Sequence, residues 1–196
     1  DLLDTQLSAI LRASMHGPVR ILIPMISHVA QINQVRARLL QIEKRLARRG
    51  IKLKGLPPLG AMIEIPSAAL VADSLAKVCD FFSIGSNDLT QYTLAIDRGD
   101  DSVAELYDPY HPGVLRLIEF TVAAAWRANI PVALCGEIAG DARATQLLLG
   151  LGLRELSMSP LRLPAVKNEI LKISISRASA FADEIMGKTD KTEIIG

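Results

Sequence analysis

The segment Asp80-Phe81-Phe82-Ser83-Ile84-Gly85-Ser86-Asn87-Asp88-Leu89-Thr90-Gln91-Tyr92, with Arg98 shortly after it, decides how this chain is read. Phe81 to Ile84 is a short apolar run bounded by Gly85, the pattern of a buried strand that stops at a turn. Asn87 and Asp88 follow and read as helix-capping residues. A carboxylate beside a carboxamide therefore falls just past a strand's C-terminal end. Ligands bind at that end in α/β folds, and the two side chains offer hard oxygens of the kind Mg²⁺ takes. Arg98, roughly two to three helical turns further along, adds a planar fork of donors suited to phosphate or carboxylate.

Outward from this segment the strand-then-helix unit repeats. Leu3, Leu7, Ile10 and Leu11 carry helical spacing, giving an N-terminal helix within residues 1–17 that Gly17-Pro18 ends. A strand is predicted over 19–26, interrupted late by Pro24, with Ser27 as N-cap of a long helix to Arg49. Pro57-Pro58 marks a loop before a strand over 60–65, and Pro66-Ser67 opens a helix to Val78. On the other side, 89–96 is helical, Arg98 to Asp101 a polar loop, and Pro112 opens an apolar helix to Ala128. Strands over 132–135 and 155–158, a helix over 142–149, a helical tail from Pro164 and a frayed end over 188–196 complete the pattern. Such alternation implies a parallel sheet with right-handed crossovers. It fits a doubly wound sheet, or an eight-fold (β/α) barrel of typically about 250 residues that lacks its first strands. No glycine-rich nucleotide loop follows the first strand.

With 196 residues, 49% hydrophobic content and only 4% aromatic, the chain suits one aliphatic α/β domain. A formal net charge of +1 builds no field for nucleic acid or an anionic membrane, and Lys44-Arg45 with Arg48-Arg49 reads as a solvated helix face. No long apolar span or leader segment stands out, so neither membrane insertion nor export is expected and the cytoplasm is the expected location. Cys79 and Cys135 suggest no disulfide framework. The first residue is Asp1 rather than Met, which suggests a fragment.

Several residues stand where chemistry is possible. Glu64, amid apolar neighbours at a strand end, is either a paired or surface glutamate or a metal ligand, and with Asp88 it would make a two-carboxylate site. Asn87 is a helix cap or a ligand contact, and Arg98 a surface ion-pair residue or a phosphate contact. Cys135 ends an apolar strand next to Gly136-Glu137, as a packed thiol or a working one, whereas Cys79 reads as packing. Gly136 would permit close backbone approach to a ligand. His16, His28 and His111 occupy loop or cap positions without metal-ligand or triad spacing.

The run DFFSIGSNDLTQYTLAIDR, together with GAMIEIPSAA (60–69), LYDPYHPGVLRLI (106–118) and CGEIAGD (135–141) followed by LLLGLGLRELSMSP, resembles the phosphoenolpyruvate-utilising enzymes. Within that family it is most similar to the Enzyme I branch of the bacterial sugar phosphotransferase system. The resemblance covers most of residues 19–165 in the family's order, and chooses the barrel: about five βα units from the C-terminal part of a (β/α)8 TIM-type barrel, incomplete on its N-terminal side. It implies Glu64 and Asp88 as Mg²⁺ ligands, Asn87, Asp88 and Arg98 as substrate contacts, and Cys135 as the acid that protonates the enolate of pyruvate. The activity implied for the full-length protein is phosphoryl transfer from phosphoenolpyruvate to an active-site histidine and on to a histidine-bearing phosphocarrier protein, in a homodimer. The family's phosphohistidine motif and its upstream substrate-binding arginine motifs are absent here, so this chain alone is expected to be inactive. Alternatives are a fragment of pyruvate phosphate dikinase or phosphoenolpyruvate synthase, and a non-catalytic ligand-binding or dimerisation module.

Overall fold

The computed structural model describes residues 2–188, so the tail expected to fray lies almost wholly outside the described residues. In chain order the elements are α1 (Leu2–Ala13), β1 (Ile21–Ile23), α2 (Val29–Arg48), β2 (Leu59–Ile63), α3 (Pro66–Leu70), α4 (Ala72–Ala76), β3 (Phe81–Gly85), α5 (Ser86–Leu94), α6 (Pro112–Ala128), β4 (Val132–Cys135), α7 (Thr145–Gly150), β5 (Glu155–Ser157), α8 (Leu163–Ile170) and α9 (Ile175–Met186). All five strands are parallel, in the order β1-β2-β3-β4-β5. A doubly wound sheet reverses its strand order at a switch point, whereas a barrel adds each strand beside the last. The sequential order is the barrel's.

Strand alternation separates two faces. Ile21 and Ile23, Leu59, Ala61 and Ile63, Phe82 and Ile84, Val132 and Leu134 join the apolar core under the helices. The intervening residues form the other face in register: Gly60 beside Phe81, Met62 beside Ser83 and Ala133, and Gly85 beside Cys135 and Ser157. These rows repeat the layered filling of a barrel interior. At the end remote from the site, the Phe81 ring lies against Gly60, where a Cβ would fall 2.6 Å from it, and the Arg20 guanidinium sits 5.5 Å from the ring centroid. Asp80, the first residue of the deciding segment, serves the fold there, its carboxylate accepting the Leu59 N–H at 2.7 Å.

Local chemistry explains the elements and corrects several expected boundaries. The strand predicted over 19–26 shrinks to Ile21–Ile23, because Pro24 has no N–H for the ladder and Met25 turns to φ 55°. Helix α2 is capped by His28 rather than Ser27, and the Gln31 Oε1 accepts both the Ser27 and the His28 N–H. The helix predicted from Pro66 to Val78 is two short pieces meeting at Val71, each packed on α6. The helix predicted over 142–149 begins with a 3₁₀ turn, and the tail divides into α8 and α9. Helix α6 opens on Pro112 after His111, whose ring Nδ1 accepts the Gly113 N–H, and closes on Asn129 in the left-handed region. Its buried Leu115, Ile118 and Val122 contribute about 1.5–3 kcal/mol each by leaving water.

Outside the sheet, α1 lies on α2 through Leu7 and Leu11, and α9 lies on α7. The latter pair is unusually close because Gly150 has no side chain: a Cβ there would sit 2.1 Å from the Ala178 carbonyl oxygen. Gly150→Ala should therefore destabilise by about 1–3 kcal/mol, a fall of several degrees in Tm at roughly 2–4 °C per kcal/mol. Gly17→Ala, where a Cβ meets nothing within 4 Å, should leave Tm unchanged, and equal Tm values for the two variants would contradict this packing.

Candidate active site

The C-terminal ends of β2, β3 and β4 bring the candidate residues together. Glu64 is the residue after β2 and is only 3% exposed. Its Oε1 accepts the Met25 N–H at 2.7 Å, and its Oε2 faces Gly85, where a Cβ would approach to 2.8 Å. The glycine thus leaves room for the carboxylate between strand ends. Met25 is a contributor that the sequence did not disclose: its left-handed backbone, costly for a residue with a side chain, aims the N–H at Glu64. Pro24 signals only that a turn is near.

Helix α5 begins directly at Ser86, so Asn87 and Asp88 lie in its first turn and do not cap it. The Asn87 Oδ1 instead accepts the Glu137 N–H at 2.9 Å, leaving the amide N–H₂ to donate elsewhere. Ser86 is buried and donates to the Cys135 carbonyl at 2.7 Å. Gly136 has φ 109°, and a Cβ on it would fall 2.2 Å from the Ser86 Oγ and 2.7 Å from the Asn87 Oδ1. Its missing side chain makes room for neighbouring protein groups. Cys135 is half-buried, with its Sγ 3.4 Å from the Ile84 carbonyl oxygen and 3.9 Å from the Ser83 Oγ.

Arg98 does not extend from the helix. α5 stops at Leu94, Ala95 turns left-handed, and the loop returns Arg98 to within 3.6 Å of the Asp88 carboxylate. Both side chains are partly exposed, so the pair holds weakly and can exchange partners. Among the described residues no cluster of three or more His, Cys, Asp or Glu could hold a metal. Glu64 and Asp88 carry the hard carboxylate oxygens that Mg²⁺ takes alongside water and phosphate oxygens. Glu64 fits that use, being buried, with Oε2 facing the Cβ-free space at Gly85.

Beside this cluster lies a cavity of about 570 Å³ bounded by Tyr107, Tyr110, Glu137, Asp141, Arg143 and Arg162. A cavity of about 530 Å³ between 14–20 and 54–58 contains none of the candidate residues. In the first, Asp141 accepts from the Tyr110 hydroxyl at 2.8 Å and from Arg143 at 2.7 Å. Arg143 holds the Asp141 carboxyl down at about 2, against partial desolvation. Burial, then the Asp141 bond, pushes the Tyr110 hydroxyl up. Burial also pushes the Cys79 thiol up to about 12, as suits a packing residue. His28 and His111 are both occupied as helix caps.

Residues 1–175 match the family described as "PEP-utilising enzyme, PEP-binding domain". The chain belongs to this family. It is 49% identical over 189 residues to a phosphoenolpyruvate-protein phosphotransferase of Cupriavidus necator, covering 96% of this chain and 32% of that protein. It is 42% identical over 195 residues to the protein of the same name from Bacillus subtilis, covering 100% of this chain and 34% of that protein. The chain thus spans about a third of the length of these relatives. Among solved structures it is similar to a citrate lyase from Burkholderia xenovorans, with TM-score 0.63 and 20% identity over 94% of this chain and 58% of that one. A HpcH/HpaI aldolase/citrate lyase family protein from Burkholderia cenocepacia gives TM-score 0.54 and 14% identity over 84% of this chain and 69% of that one. Those likenesses concern fold alone. With the sequential strand order they make this member of the phosphoenolpyruvate-utilising family a five-stranded part of a TIM-type barrel.

The Asp141 network gives a pH test in this family member. A carboxyl held at about 2 in the folded state, against its ordinary 3.8, favours folding above the higher value. That increment is lost as pH falls from about 4 towards 2. Asp141→Asn should flatten this part of the urea midpoint's pH dependence and leave the slope at neutral pH unchanged. An acid slope equal to wild type would remove Asp141 as its source.

Proposed function

We propose that this chain is the phosphoenolpyruvate- and Mg²⁺-binding part of a phosphoenolpyruvate-protein phosphotransferase. The whole protein transfers phosphoryl from phosphoenolpyruvate to its own active-site histidine, then to a histidine-bearing phosphocarrier protein serving sugar uptake. It works in the cytoplasm as a homodimer. The observation carrying this reading is the convergence of Glu64, Asn87, Asp88 with Arg98, and Cys135 at the ends of three neighbouring parallel strands. Among the described residues no helix is long and apolar enough to cross a membrane.

Each side chain has a role consistent with its partners. Glu64 and Asp88 would hold Mg²⁺, which when bound neutralises charge on the phosphoryl group. The Asn87 carbonyl oxygen is engaged by the Glu137 N–H, so its amide hydrogens can donate to a phosphate oxygen. Arg98 leaves Asp88 to bind the phosphate with its planar donor fork. After phosphoryl transfer the enolate needs a proton at its methylene carbon, and Cys135 supplies it from the end of β4. The relatives' shared name favours this reading over the dikinase and synthase alternatives.

In the full-length protein, Glu64→Gln and Asp88→Asn should each lower Mg²⁺-dependent phosphorylation from phosphoenolpyruvate by about a hundredfold or more. Wild-type rates in either variant at ordinary Mg²⁺ would sink the metal assignment.

The 196-residue chain alone should take up no label from phosphoenolpyruvate and Mg²⁺, because two of its three histidines serve as helix caps and the site lacks the remainder of the protein. Stoichiometric acid-labile label on His16, His28 or His111 would overturn this.

A further inference from the structure

Ser83 sits in the middle of β3, 9% exposed. Its neighbours Phe82 and Ile84 turn to the helix-side core, and it faces the other way with Met62 and Ala133 alongside. A hydroxyl so enclosed costs about 1–3 kcal/mol unless bonded. Among the described residues its side-chain bond runs to the Cys135 Sγ at 3.9 Å, diagonally across β3 and β4.

We infer that Ser83 is a positioning residue for Cys135, holding the sulfur and stabilising the thiolate left when the thiol protonates the enolate. The inference rests on the reading of Cys135 as proton donor. Two contacts act on the sulfur in opposite senses. The Ile84 carbonyl oxygen, 3.4 Å away, can only accept, so it favours S–H and fixes its direction. The Ser83 hydroxyl can donate, and its bond strengthens as negative charge gathers on sulfur. In the transfer the S–H bond breaks and its electron pair stays on sulfur. The enolate's π electrons form the new C–H bond, the pyruvate carbonyl forms, and water later reprotonates the thiolate. Charged groups near this end of β4 are Glu64 after β2, Asp88 from α5, Glu137 on the following turn, and Arg98, paired with Asp88. In the proposed function Glu64, Asp88 and Arg98 are engaged with Mg²⁺ and phosphate, which leaves Glu137 to oppose a thiolate and the hydroxyl on β3 to favour it.

The test uses the full-length protein with Ser83→Ala, Ser83→Thr and Cys135→Ala, and reads three quantities: Cys135 alkylation by iodoacetamide at neutral pH, kcat and KM for pyruvate formation, and the solvent deuterium isotope effect. Ser83→Ala should slow alkylation and lower kcat by roughly three- to tenfold, with KM unchanged and a larger isotope effect. Ser83→Thr, which keeps the hydroxyl, should restore alkylation and kcat. Wild-type alkylation and isotope effect in Ser83→Ala, or a folded Ser83→Thr that behaves like the alanine variant, would overturn the role of Ser83. Wild-type pyruvate formation in Cys135→Ala would instead overturn the proton-donor reading itself, and the inference with it.

Discussion

The stitching of the β3 end to the β4 end is the constraint on which the site depends. Ser86 binds the Cys135 carbonyl, Asn87 binds the Glu137 N–H, and Gly136 lies between them with no room for a side chain. Two hydrogen bonds to backbone and one missing Cβ thereby place the Asn87 amide, the Asp88 carboxylate and the Cys135 thiol in a shared frame. Polar groups in such a frame keep their orientation without reorganising during reaction, and that is the physical source of electrostatic preorganisation. Around the frame the contacts are weaker, as in the half-exposed Asp88–Arg98 pair.

The fold was largely legible in the chain because its signals are local. Gly85, Pro112 and the apolar runs of the strands mark elements that form where they were expected. Errors fell where tertiary contacts override local preference. Ser27 is a better N-cap by type than His28, yet Gln31 ties both N–H groups and lets the helix start one residue later. Val71 divides a continuous helical pattern because both halves must lie on α6. Sequence alone left the parallel sheet ambiguous between two windings; strand order is a long-range property that no single segment encodes.

The site was legible unevenly. Glu64, Asn87, Asp88, Arg98 and Cys135 were visible as residue types at strand ends, and the family resemblance supplied their roles. Their partners were not. Met25 contributes a backbone N–H, which any residue except proline possesses, so its side chain gives no cue. Ser86 and Ser83 were indistinguishable from ordinary small strand and helix residues until the register set them against Cys135. Tyr110 and Asp141 meet across 31 positions, a separation over which composition is silent.

Strand β3 carries the core on Phe82 and Ile84 and faces the candidate site with Ser83 and Gly85, in strict alternation. The core and the candidate site therefore share one phase. Slipping the chain by a single residue between Phe81 and Gly85 would carry core side chains to the face of the candidate site and push the serine hydroxyl into the apolar core. Insertions and deletions at this strand would therefore disturb the sheet and the candidate site together, whereas the loop holding Arg98 lies outside any such alternation.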